Sequence, residues 1–313
     1  MGRWTTPRLM ARMAAWPVMV AALLGLPASA LGNDSPRGYW YGTDSSYMQV
    51  RGSGPYQAPV IGGAYGGYMG MAGSWEWWLG CPGRFLDWSK INAAQAVSNL
   101  SHGLGVGTGA YWFMGGPGVD PHYDGTVQEA NSWGVAQARR ALADIRSLPS
   151  SRRVTYPILW MDIELPGISP ASDNGWDSVY TSPCSGVVKQ SSVPAAVDRA
   201  DFNGFWGWVN GHSSFRPGVY SAPAIWSRIF GTGSAASIPG TYEWTYEPET
   251  SNVGQAPSGW CLRGGGCAQF FGSQTSASSH AVMWQWSGGG GVRNGYGDFD
   301  QIAGARTQVK PSQ

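Results

Sequence analysis

The sequence predicts an α/β fold: an irregular (β/α) TIM-like barrel whose later strands carry few helices. Three observations carry that expectation. Short apolar runs alternate with stretches of helical periodicity, the pattern of strands separated by crossover helices. The strand-like runs number eight, as many as a closed (β/α) barrel uses. The run Ile158-Leu159-Trp160-Met161, behind Pro157, is too continuously apolar for a half-solvated strand and reads as one buried on both faces.

Taken in order, the expected strands are 39–45, 59–65, 105–113, 156–164, 217–221, 242–246, 282–287 and 298–302. Helical spacing of apolar residues marks 87–99 (Trp88, Ile91, Ala94, Val97) and, over the longest stretch, 125–148 (Val127, Ala130, Val135, Ala138, Ala141, Leu142, Ile145). Shorter helices are expected at 200–209 and 224–230. Segment 66–84, with Trp75, Trp77 and Trp78, lacks periodicity and reads as a loop insertion. Segment 165–193 is a second one, and both would shape a cleft at the barrel mouth.

The N-terminus sets the compartment. Arg3, Arg8 and Arg12 precede an apolar stretch, 14–26, broken by Pro17 and Gly25. Ala28-Ser29-Ala30 then supplies a small-x-small cleavage site. This is the pattern of a secretory signal peptide, of the Sec type because the arginines are isolated. The expected organisation is a signal peptide at 1–30, one barrel domain at 31–306 and a polar tail at 307–313. The product would be secreted or held in the cell wall. No segment is apolar for long enough to span a membrane. A formal net charge of +1 argues against nucleic acid as a partner, and a monomer is expected.

With 18 Trp and only 12% charged residues, the chain suits a loop-rich extracellular protein with ring-lined clefts. Cys81, Cys184, Cys261 and Cys267 make an even number, consistent with two disulfides in an exported chain. Three pairings are possible. Cys261 and Cys267 flank a Gly-rich turn, which favours that bridge and leaves Cys81 with Cys184. Scattered histidines and the absence of paired C-x-x-C argue against zinc, and no metal or other cofactor is expected.

The chemistry is sought at 162–164. Alternation along a strand places Asp162 and Glu164 on one face at the C-terminal end, where parallel α/β folds build their sites. Two adjacent carboxyls cannot both ionise cheaply, so the pair can divide acid and base roles.

Several segments then show a resemblance. Tyr41-Gly42-Thr43-Asp44-Ser45-Ser46, Gly107-Thr108-Gly109-Ala110-Tyr111-Trp112-Phe113, Pro157-Ile158-Leu159-Trp160-Met161-Asp162-Ile163-Glu164, Pro217-Gly218-Val219-Tyr220-Ser221, Trp284-Gln285-Trp286-Ser287 and Gly297-Asp298-Phe299-Asp300 resemble, in that order, motifs of the glycoside hydrolase family 25 lysozymes (muramidases). More closely, they resemble the glycoside-hydrolase-like barrels of domain of unknown function 1906. The resemblance implies hydrolysis of a polysaccharide, peptidoglycan or a related amino-sugar glycan. Glu164 would be proton donor, Asp162 would orient or stabilise the transition state, and Asp44 and Asp300, with Asp298 as an alternative to Asp300, would line the site. Tyr111, Trp112, Tyr246, Trp284 and Trp286, at expected strand ends, are candidates for stacking on sugar. Trp112 stands where the lysozymes usually carry His. The same cleft on a retired hydrolase barrel would give a non-catalytic glycan-binding cell-envelope protein.

Overall fold

The computed structural model describes residues 39–45, 69–71, 109–147, 157–165, 174–181, 187–231, 241–246, 281–287 and 298–303. The expected signal peptide (1–30), the strand at 59–65, the helix at 87–99, the polar tail and all four cysteines lie outside them.

Ten strands and three α-helices are described. The strands are β1 (Tyr39–Ser45), β2 (Met69–Met71), β3 (Ala110–Phe113), β4 (Ile158–Asp162), β5 (Val179–Tyr180), β6 (Val188–Gln190), β7 (Arg216–Ser221), β8 (Tyr242–Tyr246), β9 (Ala281–Ser287) and β10 (Asp298–Ala303). The helices are α1 (Val127–Ser147), α2 (Ala195–His212) and α3 (Pro223–Phe230). Eight strands form one sheet in the order β2-β1-β10-β9-β8-β7-β4-β3.

The protein is thus mixed α/β with a mostly parallel sheet. Strands β3, β4, β7, β8 and β9 run parallel in one block. The expectation of a wholly parallel sheet is corrected at β10, which is antiparallel to both β1 and β9. A parallel neighbour needs a crossover of a dozen or more residues, and only residues 288–297 separate β9 from β10. A second correction concerns 66–84, read as loop: residues 69–71 form β2, parallel to β1. Three residues are too few for periodicity to show. A third concerns 165–193, where β5 and β6 pair as a short antiparallel ribbon.

Helix α1 starts where its caps dictate. Thr126 Oγ1 accepts from the Glu129 amide at 3.2 Å, half of a T-x-x-E capping box. Asp124 Oδ1 in turn accepts from the Thr126 amide and hydroxyl at 2.8 and 2.7 Å. Helices α1 and α2 meet through glycine. A Cβ on Gly134 would lie 2.0 Å from the Asp201 carbonyl oxygen, and one on Gly204 2.2 Å from that of Asn131. Any larger residue would push the helices apart. Trp206 of α2 donates its indole N–H to Thr241 Oγ1 at 2.7 Å, so the helices cover the sheet face of Thr241, Glu243 and Thr245. The opposite face carries Tyr111, Trp160, Tyr220 and Trp244, whose rings meet at centroid distances of 4.4–6.0 Å.

That ring cluster depends on Gly218. A Cβ there would come within 2.4 Å of Trp160 Cε3 and 2.6 Å of Ile158 Cγ2. Gly218→Ala is expected to cost about 1–3 kcal/mol by overpacking. Gly207→Ala, at an exposed α2 position with nothing within 4 Å of the added Cβ, should instead stabilise by about 0.5–1 kcal/mol. Denaturant unfolding of the two variants beside the wild type checks both signs.

Candidate active site

The site is built around the end of β4. Residues Ile158, Leu159, Trp160 and Met161 have no exposed surface, because β3 and β7 flank the strand, helices cover one face and rings cover the other. Register fixes what surrounds its C-terminal residue. Phe113, Asp162, Tyr220 and Trp244 lie side by side across four parallel strands, and Met283 continues the row. Asp162 therefore stands on the ring-bearing face, 6% exposed.

Backbone hydrogen bonds carry this order past the strand end. The Met114 amide donates to the Asp162 carbonyl at 2.9 Å, and the Ile163 amide donates to the Tyr220 carbonyl at 3.0 Å. Ser221 Oγ donates to the Ile163 carbonyl at 2.9 Å. Glu164 follows this pinned segment and is half-buried. The expected strand included Glu164; the described one ends at Asp162, leaving Glu164 on the first loop residues. Asp162 is thus the more enclosed of the two carboxyls and Glu164 the more exposed.

Tyr220 and Gln285 were not among the expected site residues. The Tyr220 hydroxyl donates to Gln285 Oε1 at 2.5 Å, spanning three strands on the face of Asp162. Alternation held the signal. In Val219-Tyr220-Ser221 the tyrosine shares parity with the ring-bearing face, and in Trp284-Gln285 the glutamine, not the tryptophan, does so.

The same parity bears on the aromatic candidates. Tyr111 is on the ring-bearing face, edge-on to Trp244. Tyr246 is half-buried at the end of β8. Trp112 and Trp284 have no exposed surface, and stacking on sugar needs an exposed ring face that neither has. The side chain of Trp286 lies outside the described residues. Asp44, Asp298 and Asp300 are placed by backbone register: Asp44 opposite Asp298, and Asp300 opposite both Gly42 and Gln285. The acidic end of β10 therefore adjoins the strand that supplies Gln285.

The described part of the insertion after Glu164 packs sideways against a 3-10 turn, Pro117–Val119, in the loop after β3. The Gly116 amide donates to the Asn174 carbonyl at 2.7 Å and that of Gly118 to the Gly175 carbonyl at 2.8 Å. Gly175 adopts φ 81°, with space for no Cβ beside the Val119 amide. Trp176 is buried against Phe230, and Arg228 of α3 pairs with Asp177.

No family model matches the chain, and no curated protein matches it. Among solved structures it is similar to a muramidase from Acremonium alcalophilum (15% identity, 86% of this chain and 96% of that one, TM-score 0.44). It is also similar to a bacterial lysozyme from Streptomyces coelicolor (15%, 86% and 94%, TM-score 0.45). A third is the spore cortex lytic enzyme SleM of Clostridium perfringens (13%, 89% and 71%, TM-score 0.45).

Replacing Tyr220 by Phe keeps the ring packing and removes the donor to Gln285. A buried acceptor deprived of one partner costs about 1–2 kcal/mol. A drop of that size in unfolding free energy is expected for Tyr220→Phe, read from denaturant curves.

Proposed function

We propose that the protein is a glycoside hydrolase of the muramidase type, cutting peptidoglycan or a related amino-sugar glycan outside the cell, with Glu164 as general acid. The observation that carries this reading is the division of environment at the end of β4. Asp162 is enclosed on the ring-bearing face and held by backbone bonds, while Glu164, two residues on, is more open at the C-terminal end of five parallel strands.

The chemistry follows from that division. Cleavage of a glycosidic bond needs one carboxyl that delivers a proton to the leaving oxygen and another that faces the positive charge growing on the sugar ring. Glu164, on the loop edge, would reach the oxygen. Asp162, whose backbone is fixed by Met114, would stabilise the charge directly or orient the substrate's acetamido group. Asp44, Asp298 and Asp300 would complete an acidic rim. Tyr246, half-buried at the end of β8, is the described candidate ring with surface left to contact sugar. Closure of the sheet into an irregular barrel, between β2 and β3, belongs to the same reading, as does delivery by the 1–30 leader.

Purified protein is expected to release reducing ends from peptidoglycan. Glu164→Gln should lower that rate at least about 100-fold, the scale of a lost general acid, with little change in melting temperature. Equal background rates for wild type and variant would sink the proposal. Sedimentation with insoluble peptidoglycan without soluble fragments would point to the glycan-binding alternative.

A further inference from the structure

Outside the site, the α1–α2 contact encloses a carboxyl that the proposed reaction does not use. Asp201, in the second turn of α2, has no exposed surface. It lies against α1 at Gly134, where a Cβ would come within 2.8 Å of its Oδ1. Oδ1 accepts from Gln137 Nε2 at 3.3 Å, and Oδ2 has no hydrogen-bond partner among the described residues. The loop after the 3-10 turn brings Asp120, 7% exposed, close enough for its charge to act on Asp201.

The surrounding groups are mostly acidic. The loop contributes Asp120, His122, Tyr123 and Asp124, α1 contributes Glu129 against Asp120, and α2 contributes Asp198, which acts on Tyr123. Arg199, the nearest cation in sequence, is turned to the Phe230 carbonyl at 2.8 Å. Burial, with the charge of Asp120 behind it, holds the Asp201 carboxyl well above the ordinary range. Burial first, with Glu129 adding to it, pushes Asp120 up to about 6.

Gln137 links this pocket to the site. Its side-chain amide grips both backbone groups of Gly115: Nε2 donates to the carbonyl at 2.8 Å and Oε1 accepts from the amide at 2.9 Å. The indole N–H of Trp133 donates to the same carbonyl at 2.8 Å. The preceding residue, Met114, is the one that donates to the Asp162 carbonyl.

We propose that Asp201 is a proton-operated latch: neutral, it lets α1 and α2 close on Gln137, and on losing its proton to solvent it loosens that contact and, through Gly115 and Met114, the backbone of Asp162. The sign is fixed by the direction of the shifts. A carboxyl whose affinity for its proton is raised in the fold adds stability that is complete below the ordinary carboxyl range, about 3.9, and is lost as pH rises through the folded value. For Asp120 the loss runs up to about 6, and for Asp201 it extends further.

Thermal unfolding of the whole chain from pH 4 to 8 tests the latch without any activity measurement. Asp201→Asn, which keeps the acceptor and removes the charge, should melt with the wild type at pH 4. At pH 8 it should exceed it by about 3 °C or more. A variant that melts lower by the same margin at every pH overturns the proposal. If Asp201→Asn does not fold, Asp120→Asn decides: it should remove the decline between pH 4 and 6, and an unchanged decline overturns the latch. Amide exchange reports the link to the site. Met114 and Gly115 should be better protected in Asp201→Asn than in wild type at pH 8 and equally protected at pH 5, whereas equal protection at both overturns the coupling.

Discussion

Everything at the candidate site depends on one strand being dry on both faces. With Leu159 and Met161 turned to the helices and Trp160 to the ring cluster, β4 has no solvent-facing register to slip into, since moving by one residue would exchange every side chain between faces. Its neighbours share the constraint. Trp160 fits because Gly218 yields the space, and Tyr220 then stands beside Asp162 because it follows Gly218 at the strand period. The placing of the carboxyl is a by-product of hydrophobic packing, and it is rigid for the same reason the core is.

From that strand, order extends outward by hydrogen bonds more than by further apolar contact. Met114, Ile163 and Ser221 hold the chain for one residue beyond β4, and Gln137 and Trp133 hold Gly115 from the helix layer. Buried networks of this kind are strong when every member is paired and costly when one is not. Asp201 is a costly member of this layer: it has no exposed surface, yet one of its oxygens has no hydrogen-bond partner among the described residues. Closeness of the helices, set by Gly134 and Gly204, creates the burial that makes its charge expensive.

Much of the sheet was legible in the sequence, and the reasons differ by element. Strand β8 matches its expected limits because alternation and bounding residues agree. Helix α1 lies within its expected span because its stripe is long and Thr126 and Glu129 mark its start. Strand β2 was missed because three residues carry no period, and the antiparallel entry of β10 because direction is set by the path of the connection, which composition does not encode. At the candidate site, the i, i+2 spacing is what singles out Asp162 and Glu164. Ring size drew attention to Trp112 and Trp284, which are buried, whereas strand parity puts Tyr220 and Gln285 on the face of Asp162.

The position of β10 has a kinetic consequence. Strand β1 is hydrogen-bonded to β10, whose residues come roughly 250 positions later, so in the sheet order it is β10 that joins β1 to the block of parallel strands. A growing chain can assemble β3, β4, β7 and β8 with their helices while β1 still lacks that partner. Such a long loop closure is slow, and until it happens an unpaired strand edge is open to other chains. Folding of this protein should therefore be limited by the late capture of its first strand, with aggregation competing at that step.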